Sequence, residues 1–512
     1  MKKKIKKIFS FGTLFFGSIA TFAAIGITNT TKINKKPWYL EYQSKKVEVR
    51  VNKNGELFNS VRNVAVNNNF ELKLLLSFDE KPNSVYDENW VKDKNIEFID
   101  AIKKKKLNFK KYQISSMMPI VWFYFDDESQ RKNFINSIID EKEIYKGIIF
   151  PNEIQNKQLS YNNKTDWDVY FDRNITVDNT KDLEIVNFKK QKEREDNRYY
   201  NNVGNIGVLE WNGMIDEGKL QNFQKFGIKF YNVSNSNYRH HANEVSNVAV
   251  GDRGYDRYSK LFFSTFINDS QWQTAIEWMV KENGVRIINH SYGPDKDEYR
   301  RTYNENNLFL DYISRKYGVV NIFSSGNGNG NKEKRNEWIN GDKLSFNDIV
   351  VGALDYNLQT DKPTETIAKY SNYLLPDKYT NLSKPNVVAP GYLYRRWHKS
   401  ENGNWGKFGV DGTSFAAPVV TGLVSTLLRE KTFLDNDKNR LQAIKAIIGA
   451  SSRKPNVNNL EYKSNGYSTV YGSGIIDFEN MLVAANNLVT KQVSKSDKDF
   501  VLSTKEFYSA IR

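Results

Sequence analysis

Short apolar runs that alternate with helical stretches are the feature of this sequence that most restricts its fold. They occupy residues 200–487 of the 512-residue chain, and the clearest lie at 206–209, 285–288, 319–323 and 349–351. Short, fully apolar strands separated by helices are typical of a parallel sheet that is covered on both faces. We therefore expect residues 200–487 to form an α/β domain with a doubly wound, mostly parallel sheet and helices on both faces.

Residues 37–188 have a different pattern. Strand-like runs, such as 70–78 and 120–125, and amphipathic helical stretches indicate a smaller α+β domain that carries no catalytic motif. The charged segment 189–199 then predicts a solvated linker between the two domains. Residues 488–512 are mostly polar, and we interpret them as a C-terminal tail.

The N-terminus has the pattern of a targeting segment. Lysines within residues 2–7 precede an apolar stretch at 9–27. A helix of this length rises about 28 Å, close to the hydrocarbon thickness of a bilayer. We expect residues 1–30 to be either a signal peptide cleaved near Ala23 or Ala24, or an uncleaved membrane anchor. In both cases the rest of the chain is exported, either secreted or anchored at the cell surface.

The composition excludes several classes of site. There is no Cys, which rules out disulfides, thiolate metal sites and a Cys nucleophile. The formal net charge is +15, but the sequence has no zinc-finger, basic-zipper or phosphate-loop pattern. We interpret the positive charge as a solvated basic surface and expect no nucleic-acid partner.

The first candidate catalytic residue is Ser414, in the block Gly-Thr-Ser-Phe-Ala-Ala-Pro at 412–418. The small and apolar residues that follow predict a buried helix. A Ser at the start of a helix lies near free backbone N–H groups, which favour a developing negative charge. We expect Pro418 in the first turn, where proline is tolerated. Taken alone, the block is also compatible with a structural helix cap.

A Ser nucleophile needs a base, and the base needs an acid that orients it. The chain has four His, and His241 begins a stretch at 241–251 whose apolar residues share one helical face. Glu210 follows the apolar run 206–209, at the carboxyl end of a predicted strand. Sites in doubly wound sheets gather at such strand ends. By itself, a His at a helix start more often has a structural role than a catalytic one, and a Glu at a strand end can simply point to solvent.

Two further blocks are candidates for binding substrate. Residues 319–328 are a predicted strand that enters a loop rich in Gly and Asn, where the Asn327 amide could donate to an oxyanion. Residues 287–293 are a predicted strand that ends in small residues and could pair with an extended substrate. An ordinary turn and an interior strand are the structural alternatives. The candidate substrate-binding residues are Ser291, Tyr292, Gly293, Ser325 and Gly326.

Taken together, these blocks resemble the subtilase family of subtilisin-like serine proteases. The order of acid, His and Ser along the chain is the same as in subtilisin. The register of the His block selects His241 over His240. The resemblance implies that Ser414 is the nucleophile, His241 the base, Glu210 the orienting acid and Asn327 an oxyanion donor, with no cofactor. The matching blocks are 241–251, 289–293, 325–327, 386–391, 412–418 and 471–477.

The sequence also departs from the family pattern. The family usually has Asp where this chain has Glu210, and residues 211–213 differ from the usual Asp-Ser/Thr-Gly. Asp216 is therefore a rival for the acid. A catalytically inactive subtilase fold that binds a partner at the surface is the alternative function.

The exported N-terminus, the absence of Cys and the Glu in place of Asp resemble the surface subtilases of mycoplasmas. Among them is the mycoplasma immunoglobulin protease family, which cuts antibody heavy chains with an antibody-binding partner protein. The resemblance thus implies a protein substrate, with immunoglobulin as one candidate. A subtilase pro-domain is usually shorter than residues 37–188. We therefore favour a permanent docking domain over a removed pro-segment, and both alternatives remain open.

Overall fold

The computed structural model describes most of the chain. Asp216 and residues 1–30, the predicted targeting segment, lie outside the described residues, as does the predicted tail from 491 onward. The described ranges are 39–42, 45–48, 70–78, 82–149, 176–177, 180–196, 204–215, 227–231, 240–293, 303–328, 339, 341–360, 362–374, 383–397, 406–436, 439–458, 460, 462–463 and 466–490.

Two small antiparallel sheets come first. The hairpin consists of β1 (Tyr39–Tyr42) and β2 (Lys45–Glu48). The second sheet has the strand order β3-β5-β4, and its strands are β3 (Phe70–Leu75), β4 (Lys111–Ile114) and β5 (Ile120–Phe125). Three helices accompany it: α1 (Glu88–Lys104), α2 (Glu128–Asp140) and α3 (Lys142–Lys146). One face of this sheet packs against these helices in a core that includes Leu72, Leu74, Ile99, Phe123 and Phe134.

An eight-stranded sheet forms the centre of the second domain, and all its neighbouring strands are parallel except β13. The strand order is β13-β12-β11-β10-β7-β9-β8, with β14 paired to β12. The strands are β7 (Gly204–Trp211), β8 (Ile228–Tyr231), β9 (Ser259–Phe266), β10 (Ile287–His290), β11 (Val320–Ser324), β12 (Ile349–Asn357), β13 (Lys362–Ile367) and β14 (Val387–Pro390). A further sheet joins β6 (Thr176–Val177), β15 (Tyr392–Trp397) and β16 (Gly406–Asp411).

Helices cover both faces of the central sheet because its strands are apolar on both sides. Consecutive residues of one strand enter different cores: Ile322 enters one core and Phe323 the other. The first core holds α5 (His240–Val250), α8 (Thr413–Glu430), α9 (Arg440–Ser451) and α10 (Phe478–Asn486), and the second holds α6 (Asp269–Glu277) and α7 (Glu305–Tyr317). The predicted fold class, a doubly wound and mostly parallel sheet, is confirmed.

The strand order locates a crevice. The chain enters the sheet at β7, adds β8 and β9 on one side, and then adds β10, β11 and β12 on the other. The direction of winding therefore reverses between β7 and β10. In open α/β sheets the binding crevice lies at such a switch point, beyond the carboxyl ends of the strands. Glu210 lies at that end of β7, and Ser291 follows β10 directly.

The N-terminal domain packs on α6 and α7. Trp122 of β5 shares the second core with Trp272 of α6. Lys73 of β3 is fully buried, donates to Asn306 and lies 4.0 Å from Asp269. Glu71 accepts a hydrogen bond of 3.0 Å from the backbone N of Ser270, at the start of α6. The two domains are thus joined by one continuous apolar core with buried polar contacts.

The segment expected to be a solvated linker is structured. It contains α4 (Lys189–Asp196), and Gln191 and Glu195 of this helix are buried. Glu195 accepts a hydrogen bond of 2.6 Å from Arg429 of α8, and Asp256 also pairs with Arg429. A buried Arg requires such carboxylates. The high charge of this segment therefore reflects, in part, a long-range ion pair as well as exposure to water.

Candidate active site

The acid and the base predicted from the sequence are in contact. Nδ1 of His241 lies 2.8 Å from Oε2 of Glu210. A carboxylate only accepts hydrogen bonds, so Nδ1 carries the proton and the opposite nitrogen, Nε2, is the acceptor of the neutral ring. Oε1 of Glu210 accepts a bond of 3.1 Å from the backbone N of Trp211. The Glu210 side chain is 5% exposed and that of His241 37%, so the acid is enclosed while the base reaches the crevice.

His241 also lies beside the helix that carries Ser414. It is the second residue of α5, and its ring centroid is 5.8 Å from that of Phe415, the residue after Ser414. Helices α5 and α8 pack together in the first core, where Ala242, Val245 and Phe415 are buried. The packing of two apolar helices therefore brings the His and the Ser, far apart in sequence, to the same end of the sheet.

Ser414 occupies the second position of α8, where a backbone N–H has no acceptor within the helix. Pro418 is in the second turn rather than the first, because α8 begins at Thr413. Proline has no N–H, so the carbonyl of Ser414 loses its helical donor. The hydroxyl of Ser291 replaces it at 2.8 Å. The Ser414 hydroxyl in turn donates to the carbonyl of Ser291 at 3.2 Å.

Asn327 is fixed through its side-chain oxygen. Oδ1 accepts bonds from the backbone N of Thr413 at 2.9 Å and from Oγ1 of Thr413 at 2.7 Å. The same hydroxyl accepts a bond of 3.0 Å from the backbone N of Gly326. Within the described part of the chain, Nδ2 of Asn327 has no hydrogen-bond partner. The NH₂ group of Asn327 is thus oriented by the bonds that its side-chain oxygen accepts from Thr413, the residue before Ser414.

The predicted substrate-binding residues fall into two groups. Backbone pairing of β10 ends at His290, so Ser291, Tyr292 and Gly293 continue beyond the ladder. The Tyr292 side chain, however, is buried in the second core, where its hydroxyl accepts a bond of 2.6 Å from Nε1 of Trp272. The Tyr292 side chain is therefore part of the core. Ser325 is also buried, and its backbone N donates to the carbonyl of Val351.

His290 is a core residue. Its Nδ1 lies 2.7 Å from the Tyr292 hydroxyl, its Nε2 lies 3.1 Å from Oδ1 of Asn321, and its ring stacks on Phe323. Complete burial lowers the pKa of His290 to about 3, although the bond to Asn321 acts in the other direction. The imidazole is neutral at physiological pH. His290 therefore stabilises the end of β10, just before the candidate substrate-binding residues 291–293, and does not act as a base.

In the described part of the chain, no group of three or more His, Asp or Glu side chains is arranged to hold a metal ion. No helix in the described ranges is long and apolar enough to span a bilayer.

Several solved structures are similar to this chain. The prenylagaramide maturation protease PagA has a TM-score of 0.41 at 21% identity, over 55% of this chain and 94% of its own. Fervidolysin from Fervidobacterium pennivorans, a keratinolytic enzyme related to subtilisin, has a TM-score of 0.48 at 17% identity, over 76% of this chain and 59% of its own. A protease from Pseudoalteromonas arctica has a TM-score of 0.38 at 16% identity, over 55% of this chain and 90% of its own. No curated protein matches the sequence.

Residues 227–474 match the model of the subtilase family. This segment contains the blocks of His241, Asn327 and Ser414, while Glu210 lies on the strand just before it. The resemblance predicted from these blocks is confirmed at the level of the family, and the narrower mycoplasma group stays a prediction. Residues 227–474 are therefore similar to the subtilase family of serine proteases.

Proposed function

We propose that this serine protease is an exported endopeptidase in which Ser414, His241 and Glu210 act together on protein substrates. The observation that carries the proposal is the bond of 2.8 Å between His241 Nδ1 and Glu210 Oε2. It lies at the switch point of the sheet, beside the helix start that holds Ser414. This bond fixes the tautomer in which Nε2 accepts a proton, as the base of such a triad must.

The reaction is acyl transfer to water. The hydroxyl of Ser414 attacks the scissile carbonyl, and its proton moves to Nε2 of His241. His241 then protonates the leaving amine, and the peptide bond breaks to give an acyl-enzyme. Water attacks this ester with His241 again as base, which releases the acid product and restores Ser414. Glu210 accepts the hydrogen bond from Nδ1 of His241 and stabilises the imidazolium at each step.

The oxyanion of each tetrahedral intermediate binds two donors. One is Nδ2 of Asn327, which its own oxygen orients through the bonds from Thr413. The other is the backbone N–H of Ser414, which the first turn of α8 leaves without an acceptor. Donors that are fixed before the charge develops need no reorganisation, and a single one is typically worth about 3–4 kcal/mol of barrier.

The N-terminus and the family resemblance suggest where the enzyme acts. The cationic and apolar residues 1–30 support export, with the enzyme at the cell surface or secreted. The resemblance to mycoplasma immunoglobulin proteases makes antibody heavy chains the first substrate to test, together with an antibody-binding partner protein.

A covalent probe tests the proposed nucleophile. The purified chain is treated with a fluorophosphonate, and the adduct is located by mass spectrometry. We expect an adduct on Ser414 of the wild type and none in His241→Ala. Labelling without cleavage of unfolded casein or antibody would indicate the wrong substrate. A folded wild type that neither reacts nor cleaves protein would support the alternative, an inactive fold that binds a partner.

Matched variants decide the identity of the acid. Glu210→Ala and Asp216→Ala each remove one carboxylate. We expect Glu210→Ala to lower kcat by about 10⁴-fold, as loss of the orienting acid does in the serine protease triad, and Asp216→Ala to retain most activity. Unchanged turnover in Glu210→Ala would show that our assignment of the acid is wrong.

A further inference from the structure

We propose that Asn289 is a positioning residue for the reaction, which holds the nucleophile Ser414 in place through the hydroxyl of Ser291. The inference rests on the proposed function, because it concerns the same nucleophile. It gives a role in the reaction to a fully buried amide that belongs neither to the triad nor to the oxyanion donors.

The backbone of Ser414 is held on both sides by side chains from other segments. Before it, Oδ1 of Asn327 accepts a bond of 2.9 Å from the backbone N of Thr413. After it, the carbonyl of Ser414 accepts a bond of 2.8 Å from the hydroxyl of Ser291. This bond replaces the helical one, because Pro418 has no N–H to give to that carbonyl. The position of the nucleophile therefore depends on Ser291 as well as on Asn327.

The bond from Ser291 sets the direction of a longer series of hydrogen bonds. A carbonyl oxygen only accepts, so the single proton of the Ser291 hydroxyl points to Ser414. Oγ of Ser291 also lies 2.9 Å from the side-chain nitrogen of Asn289. Since the proton of Ser291 is already used, Ser291 accepts this second bond and the NH₂ group of Asn289 donates it.

The oxygen of the Asn289 amide is held by α8 itself. It lies 3.0 Å from the hydroxyl of Thr421, which is also 3.0 Å from the carbonyl of Ala417. Both of these oxygens only accept, so Thr421 donates its proton and shares it between them. Thr421 lies about two turns after Ser414 in the same helix. The amide thus connects two points of α8 through the end of β10.

Burial makes these contacts hard to replace. Asn289 and Thr421 are fully buried, and Ser291 is almost so. Bulk water does not reach the group, so a partner that is lost leaves an unpaired polar atom, which is costly. If Asn289 only satisfied the core, its loss would lower stability and leave the active enzyme as fast as before. The series of bonds ends on the carbonyl of the nucleophile itself, which favours the positioning role.

Asn289→Leu tests this role in the full-length protein. Leucine has a similar volume and removes both bonds of the amide, so the Ser291 hydroxyl is held less firmly. We expect kcat on labelled casein and the rate of fluorophosphonate labelling to fall by the same factor, about 10-fold, the usual effect of one hydrogen bond. Both reactions begin with attack by Ser414. KM should stay close to the wild-type value, and both rates are expressed per Ser414 that the probe can titrate.

Asn289→Asp reverses one bond without changing the volume. The carboxylate keeps the bond from Thr421, but at its other end it accepts as well, and so it draws the Ser291 proton away from the Ser414 carbonyl. When the carboxylate takes up a proton it can donate to Ser291 again. The rate of Asn289→Asp relative to wild type at the same pH should therefore rise as the pH falls. The comparison at equal pH cancels the titration of His241, which both proteins share.

Asn95→Leu is the matched control. Asn95 is also fully buried, and its amide donates at 3.1 Å to the carbonyls of Ser115 and Met118 in the N-terminal domain. This variant should lose stability and keep both rates per titrated Ser414.

The outcomes separate this inference from the proposed function. An active wild type whose two Asn289 variants keep its rates per titrated Ser414 at every pH overturns the role of Asn289 and leaves the proposed function intact. A folded wild type without labelling or cleavage overturns both. If Asn289→Leu fails to fold, the pH dependence of Asn289→Asp decides the question.

Discussion

Hydrogen bonds around Ser414 fix the orientation of side chains whose identity alone is given by the sequence motifs. Asn327 can be recognised as an oxyanion donor from its block, but its useful orientation depends on Thr413. The Thr413 hydroxyl donates to Oδ1 of Asn327 and accepts from the backbone N of Gly326. Thr413 therefore joins α8, the helix that carries Ser414, to the loop of Gly326 and Asn327. Its effect on the reaction is exerted through Asn327.

Thr413→Val tests this positioning role. Valine keeps the volume of threonine but removes both hydroxyl bonds, so Nδ2 of Asn327 is held less firmly. We expect kcat to fall about 10-fold with little change in KM, compared with about 10²–10³-fold for Asn327→Ala, which removes the donor itself.

Thr426→Val is the matched control for Thr413→Val. Thr426 is a buried residue of the same helix, and its hydroxyl donates to the carbonyl of Tyr255, away from the site. This variant should lose some stability and keep its kcat. Equal kcat values in wild type and Thr413→Val, measured on active enzyme counted by titration, would contradict the role of Thr413.

Other residues show the limit of prediction at this scale. The sequence indicates Tyr292 as a substrate-binding residue, yet its side chain bonds to Trp272 in the core. Alternation of side chains along a strand would predict which face of the sheet Tyr292 occupies. Ser291 to Gly293, however, lie beyond the end of the ladder, where the period of two no longer applies. Thr421 carries no motif at all. Its contact with Asn289 results from the packing of α8 on β10.

At the scale of elements, α8 shows how a helix tolerates a proline near a reactive residue. Pro418 removes the N–H that would bind the carbonyl of Ser414. Ser291, which lies just after β10, supplies a hydroxyl to that carbonyl. The hydrogen bond that Pro418 removes from α8 is thus replaced by one from Ser291. This bond also connects the segment after β10 to the helix that carries Ser414.

A double-mutant cycle measures this coupling. Ser291→Ala leaves the Ser414 carbonyl without a donor, which should lower the free energy of unfolding by about 1–3 kcal/mol. In a Pro418→Ala background the new backbone N–H can bind that carbonyl, so the same substitution should cost less. The contact between Ser291 and Nδ2 of Asn289 is lost in both backgrounds and cancels. Equal costs in the two backgrounds, measured by urea unfolding, would show that Pro418 and Ser291 are independent.

The elements themselves were predictable to differing degrees. The apolar runs gave the strands of the central sheet because fully buried parallel strands carry a strong local signal. The sequence predicts a solvated segment at 189–199 because no local pattern indicates that Glu195 pairs with Arg429, more than two hundred residues further along the chain. Local patterns therefore predict buried apolar elements well and buried ion pairs poorly.

At the scale of the molecule, the question is whether the N-terminal domain is part of the protease fold. Its sheet shares an apolar core with α6 and α7, and Lys73 is buried against Asn306 and Asp269. Its removal would expose that core and leave buried polar groups without partners. These contacts support a permanent domain, although a mature chain that begins near residue 200 would contradict this interpretation.

Trp122→Ala tests the coupling between the domains. Trp122 is fully buried in the shared core, and loss of such a side chain typically costs about 3–5 kcal/mol. If the two domains unfold together, Trp122→Ala should lower the temperature at which fluorophosphonate labelling of Ser414 is lost. Tyr112→Ala, on the same small sheet but 42% exposed, should leave that temperature nearly unchanged. An unchanged labelling midpoint in Trp122→Ala would mean that the protease domain holds its site without the N-terminal domain, as a removable pro-segment requires.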